Sequence, residues 1–329
     1  MSRPRTALAL LLATLLTTVA TACSTTPAAA GDPTVTIAGG DYLGGAPVYV
    51  AEDHRLWSTE HVEAKLQAFG TGRDALNAVL GGQAQLGIVG DLPAVTAALT
   101  GRDLHIVADL SRFSDWRLLT RTDRGITGFD RLKGHRIGLP QGTNVEYALS
   151  RILASTGLTA GDIHIVNLAP NQVPAALARG DIDAGATFPS FYDATRTVLG
   201  DRYAELRFTG YTAHTLLVAG PAATDVGTTA VLRAVLRAQA ELTADPAAAR
   251  RAVLAQSHGT LQSGYVNVVQ PAYEYRPTLS AELLQQLQDE AGWAKVAQGL
   301  PGAADRAALL GRLHTGPLAA VDPAAVTVR

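Results

Sequence analysis

Cysteine occurs once in these 329 residues, methionine once, and aromatic residues make up only 5%. A single cysteine excludes any intrachain disulfide. The eight histidines are scattered. None falls in HExxH or in a Cys/His spacing that holds zinc. No P-loop is present and no Ser–His–Asp arrangement can be nominated, so no catalytic residue, metal or other cofactor is expected. Charge is nearly balanced, with 27 basic and 29 acidic residues for a formal net of −2. No basic stripe stands out, which argues against a nucleic-acid partner. Beyond the N-terminus no segment approaches 18 consecutive apolar residues, so no later membrane span is expected.

What is present is a chain able to fold. It is 47% hydrophobic and 17% charged, which suits packed cores and not disorder. Its length allows about two domains. Arginine greatly outnumbers lysine, a bias of genome composition and not of function. The first 22 residues carry Arg3 and Arg5, an apolar run from Ala7 to about Leu16, and the small residues Ala20, Thr21 and Ala22. That is the pattern of a secretory signal peptide. Cys23 follows, and it resembles the lipidated cysteine of a bacterial lipoprotein signal, although Ala20 stands where leucine is preferred. Lipidation also explains a lone thiol in an exported protein. Residues 23–32 read as a lipid-anchored flexible tether. Removing residues 1–22 takes away two of the 27 bases and no acid, which leaves a net of −4.

After the tether, 33–39 reads as a strand, 46–57 as a helix entered at Pro47, and 62–69 as a strand,. A helix at 72–82, a strand at 85–90, a helix at 93–101 and a strand at 105–110 follow. The pattern restarts after about residue 125: strand 133–140, helix 143–156, strand 163–169, helix 173–180 and strands 183–188 and 214–220. From about 225 to 314 the chain reads as mostly helical. Such alternation indicates βα units and mainly parallel sheets. The spacing of Ala78, Gly82 and Gly87 recurs at Ala176, Gly180 and Gly185, as two lobes built on one plan would give. A cleft between α/β lobes is the expected place for a small ligand.

The stretches APVYVAEDHRLW, FGTGRDALNAVLGGQAQLGIVGDLPAV, FDRLKGHRIGLPQGTNVEYALSRILASTGL and VNLAPNQVPAALARGDIDAGATFPSFYDA carry a resemblance in order and spacing. They resemble the substrate-binding proteins of ABC importers for nitrate, sulfonates, taurine and thiamine-pyrimidine-like compounds. The resemblance implies a two-lobed, type II periplasmic-binding-protein-like α/β fold. Lobe 1 would comprise 33–118 and 217–329 with the C-terminal helices, and lobe 2 would comprise 119–216. The chain would cross near Trp116–Arg121 and near Thr212–Leu217. It also implies a monomer, anchored on the outer face of the cell membrane, that closes on a small solute and meets permease subunits.

The resemblance carries site residues onto five loops. They are Gly40, Asp41 and Tyr42; Thr71, Gly72 and Arg73; Asp91; Gly142, Thr143 and Asn144; and Phe188 with Tyr192. Arg73 could pair with an acidic group of the ligand. Asp91 could accept from a ligand amine or cap the helix that follows. Tyr211 and His214 rank lower, since a lone histidine is more often structural. Thr143-x-x-Glu146 fits a capping box, and Thr71-x-x-Asp74 has the same spacing. With Asp41, Asp91 and Glu146 near one cleft and Arg73 as the only nearby base, an amine-bearing or zwitterionic ligand fits at least as well as a simple anion. Two other readings stay open: an enzyme of the same fold, similar to menaquinone-biosynthesis proteins, and a ligand sensor without transport.

Overall fold

Eleven strands among the described residues fall into two sheets, and the order of the strands decides where a cleft can form. The computed structural model describes residues 31–40 and 42–329. The predicted signal peptide, Cys23, the tether up to residue 30, and Asp41 lie outside the described residues.

The first sheet holds β1 (Thr34–Gly39), β2 (Glu63–Ala68), β3 (Leu86–Gly90), β4 (His105–Phe113), β10 (Ala213–Ala219) and β11 (Tyr273–Thr278). Its order is β11-β4-β10-β3-β1-β2. The second sheet holds β5 (Trp116–Arg121), β6 (Arg136–Leu139), β7 (His164–Asn167), β8 (Ala184–Ala186) and β9 (Tyr203–Phe208), in the order β7-β6-β8-β5-β9. The chain passes between the sheets at residues 114–115 and returns at 209–212.

Neither sheet is mainly parallel, which corrects the expectation from alternation. β1 runs parallel to β2 and β3, and β6 runs parallel to β7 and β8. The two strands that follow the crossings, β5 and β10, run antiparallel to both of their neighbours. β11 is antiparallel to β4 as well. The βα alternation reports the parallel part of each sheet, because only parallel neighbours need a crossover helix between them. It is silent on strands that pair across long stretches of chain.

The central strands are apolar on both faces. β10 (AHTLLVA) is buried throughout, and β3 (LGIVG) is buried up to its last residue. β2 (EAKLQA) is a half-exposed edge strand with charges on it, as suits a sheet edge. One apolar cluster runs through both sheets, from Ile37, Ile88 and Leu217 to Leu118, Ile137 and Leu149. A smaller one forms behind the second sheet around Leu119, Leu177, Ile182 and Tyr192. Each such buried side chain contributes roughly 1.5–3 kcal/mol.

Three helices set the geometry where the halves meet. Asp91–Leu99 follows β3 directly. Asn144–Ala154 follows β6 and is capped by Thr143, whose Oγ1 accepts from the Val145 N–H. Ala281–Ala297 is capped by Ser280 and packs on the first of these. The helix Gly72–Leu80 is capped by Thr71, whose Oγ1 accepts from the Asp74 N–H.

Candidate functional site

Between the sheets lies a cleft of about 300 Å³. Its lining comes from both halves and from the crossings. Tyr42, Phe69, Thr71, Gly72, Arg73 and Gly90 line the first side, and Thr143, Asn144 and the run Phe188–Phe191 line the second. Phe113, Trp116, Ala213, His214 and Thr215 line it where the chain crosses, joined by Leu261 and Tyr273. The first turns of the helices Gly72–Leu80 and Asn144–Ala154 both open toward it. First-turn N–H groups have no partner within their own helix, and they favour an anion.

Seven of the predicted residues therefore come together: Tyr42, Thr71, Gly72, Arg73, Thr143, Asn144 and Phe188. Gly40 stands behind the lining. A side chain there would meet the Phe69 carbonyl oxygen at 2.9 Å and the Tyr42 ring at about the same distance, so its role is close packing. Gly142 takes φ +73, and its N–H donates to Glu146 Oε2 at 2.8 Å. That backbone donor is spent and is not offered to a ligand. Tyr192 is buried in the cluster behind the second sheet, where its hydroxyl accepts from the Arg117 N–H at 3.1 Å. It does not face the cleft.

Asp91 is corrected too. It is fully buried and belongs to a network, not to the lining. Its Oδ1 accepts from the Asn144 side-chain amide, the Leu92 N–H (3.1 Å) and the Tyr211 hydroxyl (3.0 Å), and its Oδ2 accepts from the His214 N–H (3.0 Å). Burial pushes its pKa up, and the His214 charge opposes that shift. Asn144 thus spends its amide on Asp91 across the cleft, and this contact holds the halves together. Arg73 does the same at the rim, donating from Nη1 to the Gln141 carbonyl at 2.6 Å. Glu146 turns away from the cleft and binds Gly142 and Gln298. It reaches back one residue beyond the Thr143 cap, which departs from a strict capping box.

The network ends on a carboxyl that sequence reasoning did not find. The Tyr211 hydroxyl lies 2.9 Å from Glu290 Oε1 as well as 3.0 Å from Asp91. A phenol has one proton and cannot donate to both. Burial, with the Asp91 charge second, holds Glu290 well above the usual carboxylate range. A protonated Glu290 resolves the conflict.

Near the crossings, His214 bonds through Nδ1 to Asp109 Oδ2 at 2.8 Å, and Arg112 Nη2 reaches the same oxygen at 2.8 Å. Arg112 also donates to Thr278 Oγ1 at 2.6 Å. Trp116 stacks on Tyr211 with ring centroids 5.6 Å apart and has Phe113 edge-on at 5.5 Å. Its indole N–H is buried without a partner. His214, a weaker candidate in sequence, lines the cleft, and no signal near it in sequence points to its partner. Its partner Asp109 is 105 residues away. Among the described residues no cluster of His, Cys, Asp and Glu could hold a metal ion.

A family profile described as "NMT1/THI5 like" matches residues 44–249. The chain belongs to the NMT1/THI5-like family. Among curated relatives, an Escherichia coli (strain K12) protein named for binding aliphatic sulfonates is 29% identical over 154 residues, covering 46% of this chain and 48% of its own. The taurine-binding periplasmic protein of the same organism is 30% identical over 138 residues, covering 42% and 43%. The matches span about half the length of these relatives. Among solved structures, the alkanesulfonate-binding protein SsuA from Xanthomonas axonopodis pv. citri bound to MOPS superposes with a TM-score of 0.73. It is 23% identical and covers 87% of this chain and all of its own. That likeness shows the fold of this NMT1/THI5-like chain: two helix-flanked mixed sheets of the periplasmic-binding-protein kind.

Proposed function

We propose that this protein is an extracytoplasmic receptor that captures a small organic anion of the sulfonate kind and passes it to the permease of an ABC importer. One observation carries the choice of ligand: the described lining of the cleft contains no carboxylate, but it does contain Arg73, His214 and two helix N-termini. Of the three acids that favoured an amine-bearing ligand, Asp91 is buried in its own network and Glu146 turns away, while Asp41 lies outside the described residues. The relatives named for sulfonate and taurine binding support the same reading. The mechanism is closure with differential affinity. The ligand stabilises the arrangement in which Asn144 meets Asp91, and the permease reads that closed form.

The test is a thermal-shift series on residues 32–329 with methanesulfonate, taurine, nitrate and ethanolamine. A ligand of the native state raises the melting temperature. Stabilisation by sulfonates and not by the amine supports the reading, and the reverse pattern overturns it.

An enzyme of the same fold is the second reading, and the Asp109–His214 pair is what favours it, since a carboxylate-oriented imidazole is a general base in waiting. Ser190, which lines the cleft, makes no described hydrogen bond to His214. Product formed from a bound solute would move the reading there. We further propose that Cys23 carries the lipid anchor. Cys23→Ser should release the protein from the membrane, and unchanged retention would remove the anchor.

A further inference from the structure

Two ring nitrogens on residues that line the cleft have no described hydrogen-bond partner. The Trp116 indole N–H is buried and unaccepted. His214 spends Nδ1 on Asp109, and no hydrogen bond among the described residues engages its Nε2. Both residues line the same cleft, at the starts of the strands that follow the two crossings. A buried donor without an acceptor is costly, so each waits for one. Three polar side chains nearby already have partners: Asn144 bonds Asp91, Arg73 Nη1 bonds the Gln141 carbonyl, and the Tyr42 hydroxyl bonds the Ile88 carbonyl.

We propose that His214 and Trp116 hold the anionic head group of the ligand, and that the aromatic walls around them select a flat ring-bearing body, an arenesulfonate in preference to a short alkyl sulfonate. The proposal rests on the receptor reading above and deepens it.

Charge and shape both support it. Burial works against a charged imidazole. The hydrogen bond and charge of Asp109, with the charge of Asp91, outweigh it and push His214 up from the ordinary histidine range. The charged groups around it are Asp109 and Arg112 on β4, Asp91 on the helix Asp91–Leu99, and Glu274 on β11 through its contact with Arg112. The chain has six phenylalanines, and four of them, Phe69, Phe113, Phe188 and Phe191, line this one cleft with Trp116 and Tyr273. Phe113 already packs on the rings of Trp116 and Tyr273, with centroids at 5.5 and 4.8 Å. Those separations are favourable for ring–ring contact, and an arene extends the same set.

Isothermal titration with benzenesulfonate, methanesulfonate and the neutral benzenesulfonamide tests the proposal. Benzenesulfonate should bind at least about tenfold more tightly than either of the others. Its affinity should fall as pH rises through the His214 titration, by at most about tenfold per pH unit for one proton. His214→Gln should lose about tenfold in affinity and flatten that profile, and Trp116→Phe, which keeps a ring and removes the N–H, should lose about fivefold. In the wild-type protein the His214 Nε2 resonance should move with benzenesulfonate and not with benzenesulfonamide, a readout that does not depend on a variant folding. If His214→Gln keeps wild-type affinity and pH profile, or the wild-type resonance stays still, the head-group site is overturned and the receptor reading stands. Methanesulfonate binding as tightly as benzenesulfonate overturns the choice of body. If no sulfonate binds the wild type, the receptor reading falls and this proposal falls with it.

Discussion

Gly90 shows how tightly single residues fix the meeting of the two halves. A methyl group there would fall far inside contact distance of Asn144 Oδ1, and Asn144 cannot swing away without giving up Asp91. Gly90→Ala should therefore cost roughly 1–3 kcal/mol, as overpacking does, and should weaken ligand binding, read by thermal melting and titration. A variant with wild-type stability and affinity would show that the halves do not need this approach. Asn144→Leu leaves a buried carboxylate short of a donor and should cost a similar amount. At this scale the sequence disclosed what was local. Thr71 and Thr143 were recognisable as caps because their partners lie two or three residues on. His214 and Glu290 were hidden because their partners Asp109 and Tyr211 lie far away in sequence. Asp91 was misjudged for the same reason, since nothing beside it in sequence announces Asn144 or Tyr211.

Among elements, the junction of the helices Asp91–Leu99, Asn144–Ala154 and Ala281–Ala297 carries the clearest pH dependence. The Glu290 pKa is raised in the folded protein. The stability it contributes is therefore present at low pH and is lost as pH climbs from the ordinary glutamate range toward the raised value. Glu290→Gln cannot ionise, so its stability should stay flatter across that climb and exceed the wild type at alkaline pH. Chemical denaturation at a series of pH values reads this, and parallel curves for the two proteins would contradict it. Thr143→Ala should cost about 1 kcal/mol through the lost cap, checked in the same measurement. Most helices and the parallel strands were visible in sequence because their apolar spacing is local, but the helix Tyr192–Leu199 was not. β5, β9 and β11 were not. β9 and β11 are half-buried strands, and β5 finds its partner about 90 residues away, with Arg117 opposite Arg207.

For the whole molecule, the expected event is a change between an open and a closed arrangement. Small-angle scattering should show a smaller radius of gyration with a saturating sulfonate than without. An unchanged radius would mean that the ligand enters a cleft already shut. The order of strands adds a separate consequence. The family match ends at residue 249, yet Tyr273 in the cleft, Thr278 behind Arg112 and Glu290 beneath Asp91 all come later in the chain. β11 also covers the outer edge of β4. The recognisable part of the sequence is therefore not a portable module. A fragment ending at residue 249 should expose a raw sheet edge and aggregate. A graft of residues 44–249 onto another family member's C-terminal segment should exchange the ligand preference only if that segment supplies its own equivalents of Tyr273, Thr278 and Glu290.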